Sequence, residues 1–272
     1  MVTNIAHGGA RSLAPENTLA AARKALEIGA DLWETDVAVT ADEQLILFHD
    51  DSMARTTNAA AVFPARRPWI FTTMTFDEVR ALDAGSWFVE TDPFGQIAAG
   101  AVSAAQQQSY RGEKVPTLAE ALIFTQEANF TINIELKRLP PPLEKFPVPD
   151  RVLDLVDALK IDHHRLIFSS ANQQWLRVVK KRHPDLIVQA VLGIPETAPL
   201  EWGNYEFDAY NVRHTMIDEA TIRNLHQRGV NINLWTVNHE EDMRRFIAAG
   251  AAGLITDFPQ RLKKVLEDYQ HE

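Results

Sequence analysis

Short apolar segments alternate with amphipathic segments along almost the whole chain, and this alternation limits the possible folds more than any other feature. The apolar segments predict strands at 3–7, 32–39, 131–137, 165–170, 186–192, 208–213, 231–237 and 253–257. Segments with apolar residues at three- and four-residue spacing predict helices between them, for example at 17–28, 152–159, 174–181, 218–228 and 240–249. Eight parallel strands with helical crossovers, and no glycine-rich phosphate loop after any strand, favour an α/β fold of the (β/α)8 TIM barrel type over an open sheet.

The composition excludes several classes of protein. A formal net charge of −10 without a Lys/Arg block argues against a nucleic-acid partner and against electrostatic docking on anionic lipid. The absence of cysteine excludes disulfides and thiolate metal sites. No apolar stretch is long enough to span a membrane, and the first residues lack the pattern of a signal peptide. The expectation is therefore a cytoplasmic protein without membrane insertion.

The segment LILFHD at 45–50 follows the second strand too closely for a crossover helix. It is therefore predicted to fold back as an antiparallel hairpin around Asp42 and Glu43. In the predicted register position 49 lies opposite position 36, so that His49 returns beside Asp36 on the same face of the sheet. A change of one residue in the loop would turn the histidine away.

Residues 51–115 interrupt the alternation. They hold one helix candidate, FDEVRAL, among segments rich in Ala, Pro, Phe, Trp and Gln. We interpret this stretch as an inserted cap segment at the catalytic end of the barrel, so that residues 1–272 form a single catalytic domain. Some of its aromatic residues could wall the pocket, while others must pack the insertion onto the barrel; the candidates are Phe63, Trp69, Phe71, Trp87 and Phe94.

Three carboxylates lie on predicted strands. Glu34 and Asp36 are two residues apart, so their side chains point to the same face, and Glu135 lies in the similar segment TINIELK. Acidic groups inside a barrel are costly unless a cation or hydrogen bonds compensate them. Oxygen ligands without cysteine suit a hard divalent cation, Mg²⁺ or Ca²⁺. The same spacing is also compatible with salt bridges inside the barrel.

Two histidines end predicted strands. His7 ends the first strand and His49 ends the return of the hairpin. Because imidazole titrates near neutrality, such a pair can divide the work of a general base and a general acid. The alternative is a pair of packed, hydrogen-bonded histidines. The remaining histidines are predicted to be surface residues: His163, His164, His183, His214, His226, His239 and His271.

Other polar and aromatic residues near these strand ends are candidates for substrate binding. Arg11 could contact a phosphate, although it could equally be a solvated loop residue. Lys137 shares a strand face with Glu135. Trp235 could present an apolar platform for substrate carbons or be an ordinary core tryptophan.

Six motifs occur in an order that resembles a known family: HGGARSLAPENT, WETDV, FHDD, INIELK, LWTVN and GLITDFP. Together they resemble the glycerophosphodiester phosphodiesterases over essentially the whole chain. The resemblance implies a (β/α)8 barrel that hydrolyses a small-molecule glycerophosphodiester to an alcohol and glycerol 3-phosphate with a divalent cation. It implies these roles by motif: Glu34, Asp36 and Glu135 as metal ligands, His7 and His49 as the acid/base pair, Lys137 as a phosphate contact, Trp235 beside the glycerol, and Glu16 and Asn17 as supporting residues of the PENT segment.

The chain departs from the family pattern at one visible position. The family usually reads HRG after the first strand, where this chain has His7, Gly8 and Gly9. The missing arginine normally faces the phosphate, and Arg11 is the candidate substitute. Gly8 could alternatively serve a backbone conformation with positive φ.

Two other functions are alternatives. A related phosphodiesterase acting on intact (lyso)phospholipid or sphingolipid would be expected to carry a basic or strongly apolar surface segment. A catalytically weakened binding protein would keep the pocket while Gly8 weakens the chemistry, but the presence of both histidines and all three acids argues against it. The sequence leaves open the preferred leaving alcohol, the physiological cation, the acid and base assignment of the histidines, attack by water or by the substrate's own hydroxyl, and the oligomeric state.

Overall fold

A closed barrel of eight parallel strands forms the centre of the computed structural model, which describes residues 2–271. The sheet order is β1-β9-β8-β7-β6-β5-β4-β2, and pairing of β1 with β2 closes it. The strand bounds are β1 Thr3–Ala6, β2 Leu32–Val39, β3 Leu45–Leu47, β4 Thr131–Leu136, β5 Leu166–Ser170, β6 Ile187–Leu192, β7 Ala209–Arg213, β8 Ile232–Trp235 and β9 Gly253–Thr256. The TIM barrel prediction is confirmed, and the predicted strand ends agree within two residues.

Helices surround the barrel. They are α1 Leu19–Ile28, α2 Ala59–Val62, α3 Phe76–Ala81, α4 Ser86–Thr91, α5 Ala104–Tyr110, α6 Leu118–Glu127, α7 Val148–Leu159, α8 Gln173–Arg182, α9 Glu219–Gln227, α10 Glu240–Ala249 and α11 Pro259–His271. The connection from β6 to β7 is the one crossover in the described part of the chain that lacks an α-helix. The main hydrophobic core lies between the outer face of the strands and the buried helix faces.

The first helix begins two residues later than predicted. Thr18 is its N-cap, and the Thr18 Oγ1 accepts a hydrogen bond from the backbone N–H of Ala21 at 3.2 Å. Asn17 adopts a left-handed conformation with φ 54°, which is incompatible with a helical position. The PEN segment is therefore a turn, and this turn directs the Asn17 side chain toward β2.

The hairpin prediction is correct in topology but wrong in register. β3 pairs antiparallel with β2, and the Phe48 N–H donates to the Asp36 carbonyl, so position 36 lies opposite position 48 rather than 49. The loop closes through the Thr40 N–H and the Gln44 carbonyl at 3.0 Å, which makes it a three-residue loop with Glu43 at φ 62°. His49 thus lies beyond the last ladder pair, and the pleat of the sheet does not set its direction.

The segment 51–115 contains helices α2 to α5 and packs directly on the barrel. Its side chains Met53, Phe71 and Val79 belong to the same buried cluster as the barrel core. It touches loops at the carboxyl end of the strands, because the Thr72 Oγ1 donates to the Pro141 carbonyl at 2.7 Å. No helix among residues 2–271 is long and apolar enough to cross a membrane.

Candidate active site

A cavity of about 140 Å³ opens at the carboxyl end of the barrel strands. This is the end at which TIM barrels build their active sites, because the loops that follow the strands converge there. The lining residues are His7, Glu34, Asp36, His49, Glu135, Lys137, Ser169, Val191, Ile194, Asn211, Trp235, Thr236 and Ile255. The five aromatic residues of 51–115 that were predicted to wall the pocket are absent from this lining, and Phe71 is a core residue instead.

The three predicted acidic residues meet in this cavity. Each of Glu34, Asp36 and Glu135 offers a carboxylate oxygen within 4.8 Å of the others. Strand pairing places Asp36 beside Glu135 in register, and the two-residue period of β2 places Glu34 on the same inner face. Glu34 accepts a hydrogen bond from the Gly8 backbone N–H at 3.0 Å through Oε2. Its other oxygen, Oε1, is buried without a hydrogen-bond partner among the described residues.

Burial and mutual repulsion perturb these acids. Burial raises the pKa of Glu34 well above its usual value, and the charges of Asp36 and Glu135 raise it further. Burial, followed by the charge of Asp36, raises the pKa of Glu135 to about 7. Burial also acts to raise the pKa of Asp36, but Lys137 and the two histidines outweigh it and leave that pKa lowered. Two of the three acids are therefore poorly stabilised as anions by the protein alone.

Asp36 is held in place from two sides. The Asn17 Nδ2 donates to Asp36 Oδ2 at 3.1 Å, while Asn17 Oδ1 accepts from the Thr35 hydroxyl at 2.6 Å. Lys137 Nζ lies 3.3 Å from Asp36 Oδ1 and donates to the His49 carbonyl at 3.0 Å. Asn17 thereby fixes the Asp36 carboxylate. Lys137, the one lysine of the cavity lining, lies next to this carboxylate.

His7 is bound to a carboxylate that follows the last strand. Its Nδ1 lies 2.7 Å from Oδ1 of Asp257, and the Asn238 Nδ2 donates to the other oxygen of Asp257 at 2.7 Å. Burial acts to raise the pKa of Asp257, but the bond to His7 and the charges of His7 and Arg11 lower it to about 2. The ionised Asp257 fixes the ring of His7 and leaves Nε2 as its free nitrogen.

His49 has a similar partner on a more exposed side. Its Nδ1 lies 2.6 Å from Oδ1 of Asp50, and its side chain is 42% exposed against 21% for His7. The hydrogen bond to Asp50 and the charge of Asp36 raise the pKa of His49. Arg55 of the segment 51–115 donates to Asp50 at 2.6 Å. Arg55 therefore positions the Asp50 carboxylate, which in turn positions His49.

Glu16 is buried at the centre of an arginine network beside the cavity. Arg55 donates to both of its oxygens, at 2.6 and 3.1 Å, and Arg11 donates to one at 2.6 Å. Arg11 Nε also lies 3.7 Å from Asp257. Arg11 is outside the cavity lining, and its guanidinium is bound to Glu16, so its predicted contact with a phosphate stays a prediction.

Trp235 is the last residue of β8 and forms part of the cavity wall. Its Nε1 donates to the Asn211 carbonyl at 3.0 Å, and the Arg213 guanidinium lies over its ring at 4.4 Å from the centroid. It packs against the small buried cluster of Ile5, Leu32, Ile167 and Ile255. These contacts hold the indole rigidly at the edge of the cavity.

Sequence reasoning missed three residues of this site. Asp50 and Asp257 belong to the motifs FHDD and GLITDFP, and their position just after strands was the available signal. Arg55 gave no signal, because it lies where the sequence has no periodicity. Of the histidines predicted to be surface residues, His163, His183 and His214 are half-buried, and the side chain of His271 lies outside the described residues.

The chemistry of the donor set fits a hard divalent cation. All three groups offer carboxylate oxygens, one oxygen of Glu34 is orphaned, and two of the acids have raised pKa values. A cation in their midst would satisfy the orphaned oxygen and offset the repulsion.

Comparisons with known proteins give a consistent result. The model of the glycerophosphoryl diester phosphodiesterase family matches residues 7–261. A glycerophosphodiester phosphodiesterase from Caldanaerobacter subterraneus subsp. tengcongensis is 32% identical over 95% of both chains. The fold is similar to that of an Oleispira antarctica phosphodiesterase, solved with the product sn-glycerol-3-phosphate, at a TM-score of 0.76, 24% identity and coverage of 97% of this chain and 96% of that one. It also resembles an Agrobacterium tumefaciens glycerophosphodiester phosphodiesterase at a TM-score of 0.70 and 24% identity, over 97% of this chain and 100% of that one. The chain therefore belongs to the glycerophosphoryl diester phosphodiesterase family of enzymes.

Proposed function

We propose that this enzyme hydrolyses glycerophosphodiesters to an alcohol and glycerol 3-phosphate, with a divalent cation and a pair of histidines. The observation that carries the proposal is the cluster of three carboxylates, two of them buried and one half-buried, between two imidazoles that each have a carboxylate partner. One oxygen of Glu34 in this cluster has no hydrogen-bond partner among the described residues. A cluster of this kind is unstable as a purely structural element, because nearby like charges raise each other's pKa.

Glu34, Asp36 and Glu135 would hold the cation, and their oxygen ligands favour Mg²⁺ or Ca²⁺ over softer metals. When bound, the cation supplies Lewis-acid polarisation of the phosphoryl group. Lys137 Nζ forms an ion pair with Asp36. If a cation neutralised the charge of Asp36, this Nζ would become available to bind a phosphate oxygen.

The histidines divide the proton transfers. Because Asp257 and Asp50 engage Nδ1 of His7 and His49, the Nε2 atoms remain for the substrate. We assign the general acid to His49, since the bond to Asp50 and the charge of Asp36 raise its pKa and favour the protonated ring. His7 then takes the proton from the attacking hydroxyl.

The size of the cavity favours a small substrate. Its volume of about 140 Å³ is below the range of roughly 300–1,000 Å³ that is usual for larger organic ligands. Trp235 offers an apolar surface for the glycerol carbons beside the polar cluster. The Oleispira antarctica relative binds sn-glycerol-3-phosphate, which supports a glycerol phosphate moiety in the corresponding cavity here.

The chain as a whole forms one catalytic domain in this proposal. Met53, Phe71 and Val79 of 51–115 share a hydrophobic cluster with the barrel core, which supports a single folding unit. The segment 51–115 contributes Arg55 to the site and thus stabilises the side of the mouth where the leaving alcohol departs from His49.

Product analysis tests the proposed function. Glycerophosphocholine and glycerophosphoethanolamine should each yield glycerol 3-phosphate, and excess chelator should abolish the reaction until Mg²⁺ or Ca²⁺ is added back. An intact lysophospholipid serves as a parallel substrate. Its preferential hydrolysis would favour the lipid-acting alternative, and binding of glycerophosphodiesters without turnover would favour the binding-protein alternative.

A further inference from the structure

A second group of metal-ligating side chains lies at the opposite end of the barrel. Asp157 lies in the last turn of α7, His163 in the short 3₁₀ turn before β5, and His183 between α8 and β6. All three precede the amino ends of their strands, whereas the cavity described above opens at the carboxyl ends. The two groups are therefore on different faces of the barrel, and the second is independent of the proposed hydrolysis.

The three side chains converge on a small space. One ligand atom from each lies within 4.8 Å of the others. His183 Nε2 is 3.1 Å from Asp157 Oδ1, close to the roughly 3.3–3.4 Å between neighbouring ligands of a tetrahedral ion with bonds of about 2.0–2.1 Å. The two imidazole rings lie edge to face with centroids 4.9 Å apart. Partial exposure of His163 and Asp157 leaves room for the small rotations that would bring all three atoms onto one ion.

His183 shows the feature expected of a ligand. Its Nε2 is buried, and its contact with Asp157 lacks the alignment of a hydrogen bond, so the atom has no hydrogen-bond partner among the described residues. A buried ring nitrogen without a partner is costly in a protein. A bound cation would satisfy it.

The surroundings also suit a cation. Asp185 Oδ2 lies 2.7 Å from Nδ1 of His163, which leaves Nε2 for the ion, as in the carboxylate–histidine arrangements around metals. Arg182 donates to Asp157 Oδ2 and contacts Asp154, so Asp157 Oδ1 stays available.

We propose that Asp157, His163 and His183 form a binding site for a borderline transition-metal cation of the Zn²⁺ class, with Asp185 orienting His163. Two imidazoles and one carboxylate match the preferences of Zn²⁺ and of Co²⁺ or Ni²⁺, whereas Mg²⁺ and Ca²⁺ prefer oxygen ligands. The bound ion would tie the end of α7 to the turns that lead into β5 and β6. These elements lie on the face of the barrel that determines stability rather than chemistry.

The test is a titration with Zn²⁺ alone, followed by calorimetry and thermal unfolding. It is done on the full chain carrying Glu34→Gln, so that the carboxylate cluster of the cavity competes less for the metal. Zn²⁺ at a hundredfold excess over its Kd should raise the Tm by about 5 °C or more, and Mg²⁺ should leave it unchanged. Adding His183→Ala should reduce the Zn²⁺ affinity at least a hundredfold. Asp185→Asn should reduce it roughly 10–100-fold, because that residue only orients a ligand.

His164→Ala is the matched control, because His164 is an exposed neighbour of His163 outside the cluster and its loss should leave the affinity unchanged. If His183→Ala does not fold, Co²⁺ absorption on the parent chain replaces it, with visible bands of imidazole coordination expected. Equal Zn²⁺ affinity with and without His183, or the absence of Co²⁺ bands at saturation, would overturn the proposal. The cluster would then consist only of the ion pairs His163–Asp185 and His183–Asp157. In the otherwise wild-type chain, His183→Ala should retain hydrolysis of glycerophosphocholine, so failure here is distinguishable from failure of the proposed function.

Discussion

Two layers of acidic residues at the mouth of the barrel are compensated in different ways. The outer layer consists of Glu16, Asp50 and Asp257, and each of them is bound by an arginine, a histidine or both. The inner layer consists of Glu34, Asp36 and Glu135, which share a single lysine. Each layer contains two buried acids and one half-buried acid, which is Asp50 in the outer layer and Glu135 in the inner layer, so burial alone does not explain the difference.

The pKa values follow this division. In the outer layer the partners overcome the effect of burial, and the pKa values of Glu16, Asp50 and Asp257 are all lowered. In the inner layer the pKa values of Glu34 and Glu135 are raised, because burial and mutual repulsion dominate. The protein thus stabilises four of the six acids as anions with its own residues, including Asp36 beside Lys137, and it leaves Glu34 and Glu135 without such compensation where we propose the cation.

The largest expected effect concerns the two histidines that the outer layer holds. His7→Ala and His49→Ala should each reduce kcat by about 10²–10⁴, because each removes one positioned proton-transfer group. The double variant should lose far less than the product of the two losses, since the groups act as one unit. Steady-state kinetics on glycerophosphocholine measure this. A loss below tenfold in either single variant would reduce that histidine to a packing role.

A smaller effect is expected from Arg55, which links the outer layer to the segment 51–115. Arg55→Met leaves buried Glu16 with Arg11 alone and Asp50 with His49 alone, so we expect about 1–3 kcal/mol of lost stability and a reduction in kcat of about tenfold. Urea unfolding and kinetics measure the two effects. Arg111→Met is the matched control, because Arg111 is equally exposed and pairs with the exposed Glu90, so it should cost about 0–1 kcal/mol. If Arg55→Met and Arg111→Met change stability and kcat equally, Arg55 has no special role in the outer layer.

The inner layer should make the cation-free enzyme less stable as the pH rises. The pKa of Glu135 in the folded state is about 7 against 4.5 as its ordinary value, so the folded state binds the proton more tightly. This contribution is present below pH 4.5 and is lost as the pH rises toward 7, on the order of 1–3 kcal/mol. Urea unfolding in chelator between pH 5 and 8 should show the decline, and Glu135→Gln should flatten it. A slope that is unchanged in Glu135→Gln would contradict the raised pKa.

The smallest effect concerns Gly8, whose N–H donates to Glu34. Its φ of +58° is strained for other residues, although the nearest heavy atom to an added Cβ would be 3.5 Å away. Gly8→Ala and Gly8→Arg should therefore each cost roughly 1–2 kcal/mol. Any gain in kcat/KM of Gly8→Arg over Gly8→Ala reports the charge alone. Equal kinetics of the two variants would show that the missing family arginine has no function in this chain.

The barrel and the inner layer were predictable because they depend on simple periodicities. The two-residue period of a strand places Glu34 and Asp36 on one face, and the parallel alignment of β2 with β4 brings Glu135 level with them. The alternation of strands and helices similarly indicated the barrel. These relations are local or follow from the topology, so they can be inferred from the order of residues alone.

The outer layer was less predictable because it depends on irregular backbone. The position of His49 depends on whether the hairpin loop has two or three residues, and the left-handed Glu43 decides this. Arg55 reaches Glu16 across 39 positions from a segment without periodicity, and no sequence pattern specifies such a contact. The same holds for the pairing of His183 with Asp157, which depends on how two neighbouring helices end.

The most direct test of the central claim is calorimetric titration of Mg²⁺ and Ca²⁺ into the metal-free enzyme and into Glu34→Gln. If the inner layer is the cation site, the wild-type chain should bind one of these ions with release of protons near pH 7, since raised-pKa carboxyls must ionise to become ligands. Glu34→Gln should fold normally and lose this binding together with hydrolysis. Undiminished binding or hydrolysis in Glu34→Gln would contradict the account.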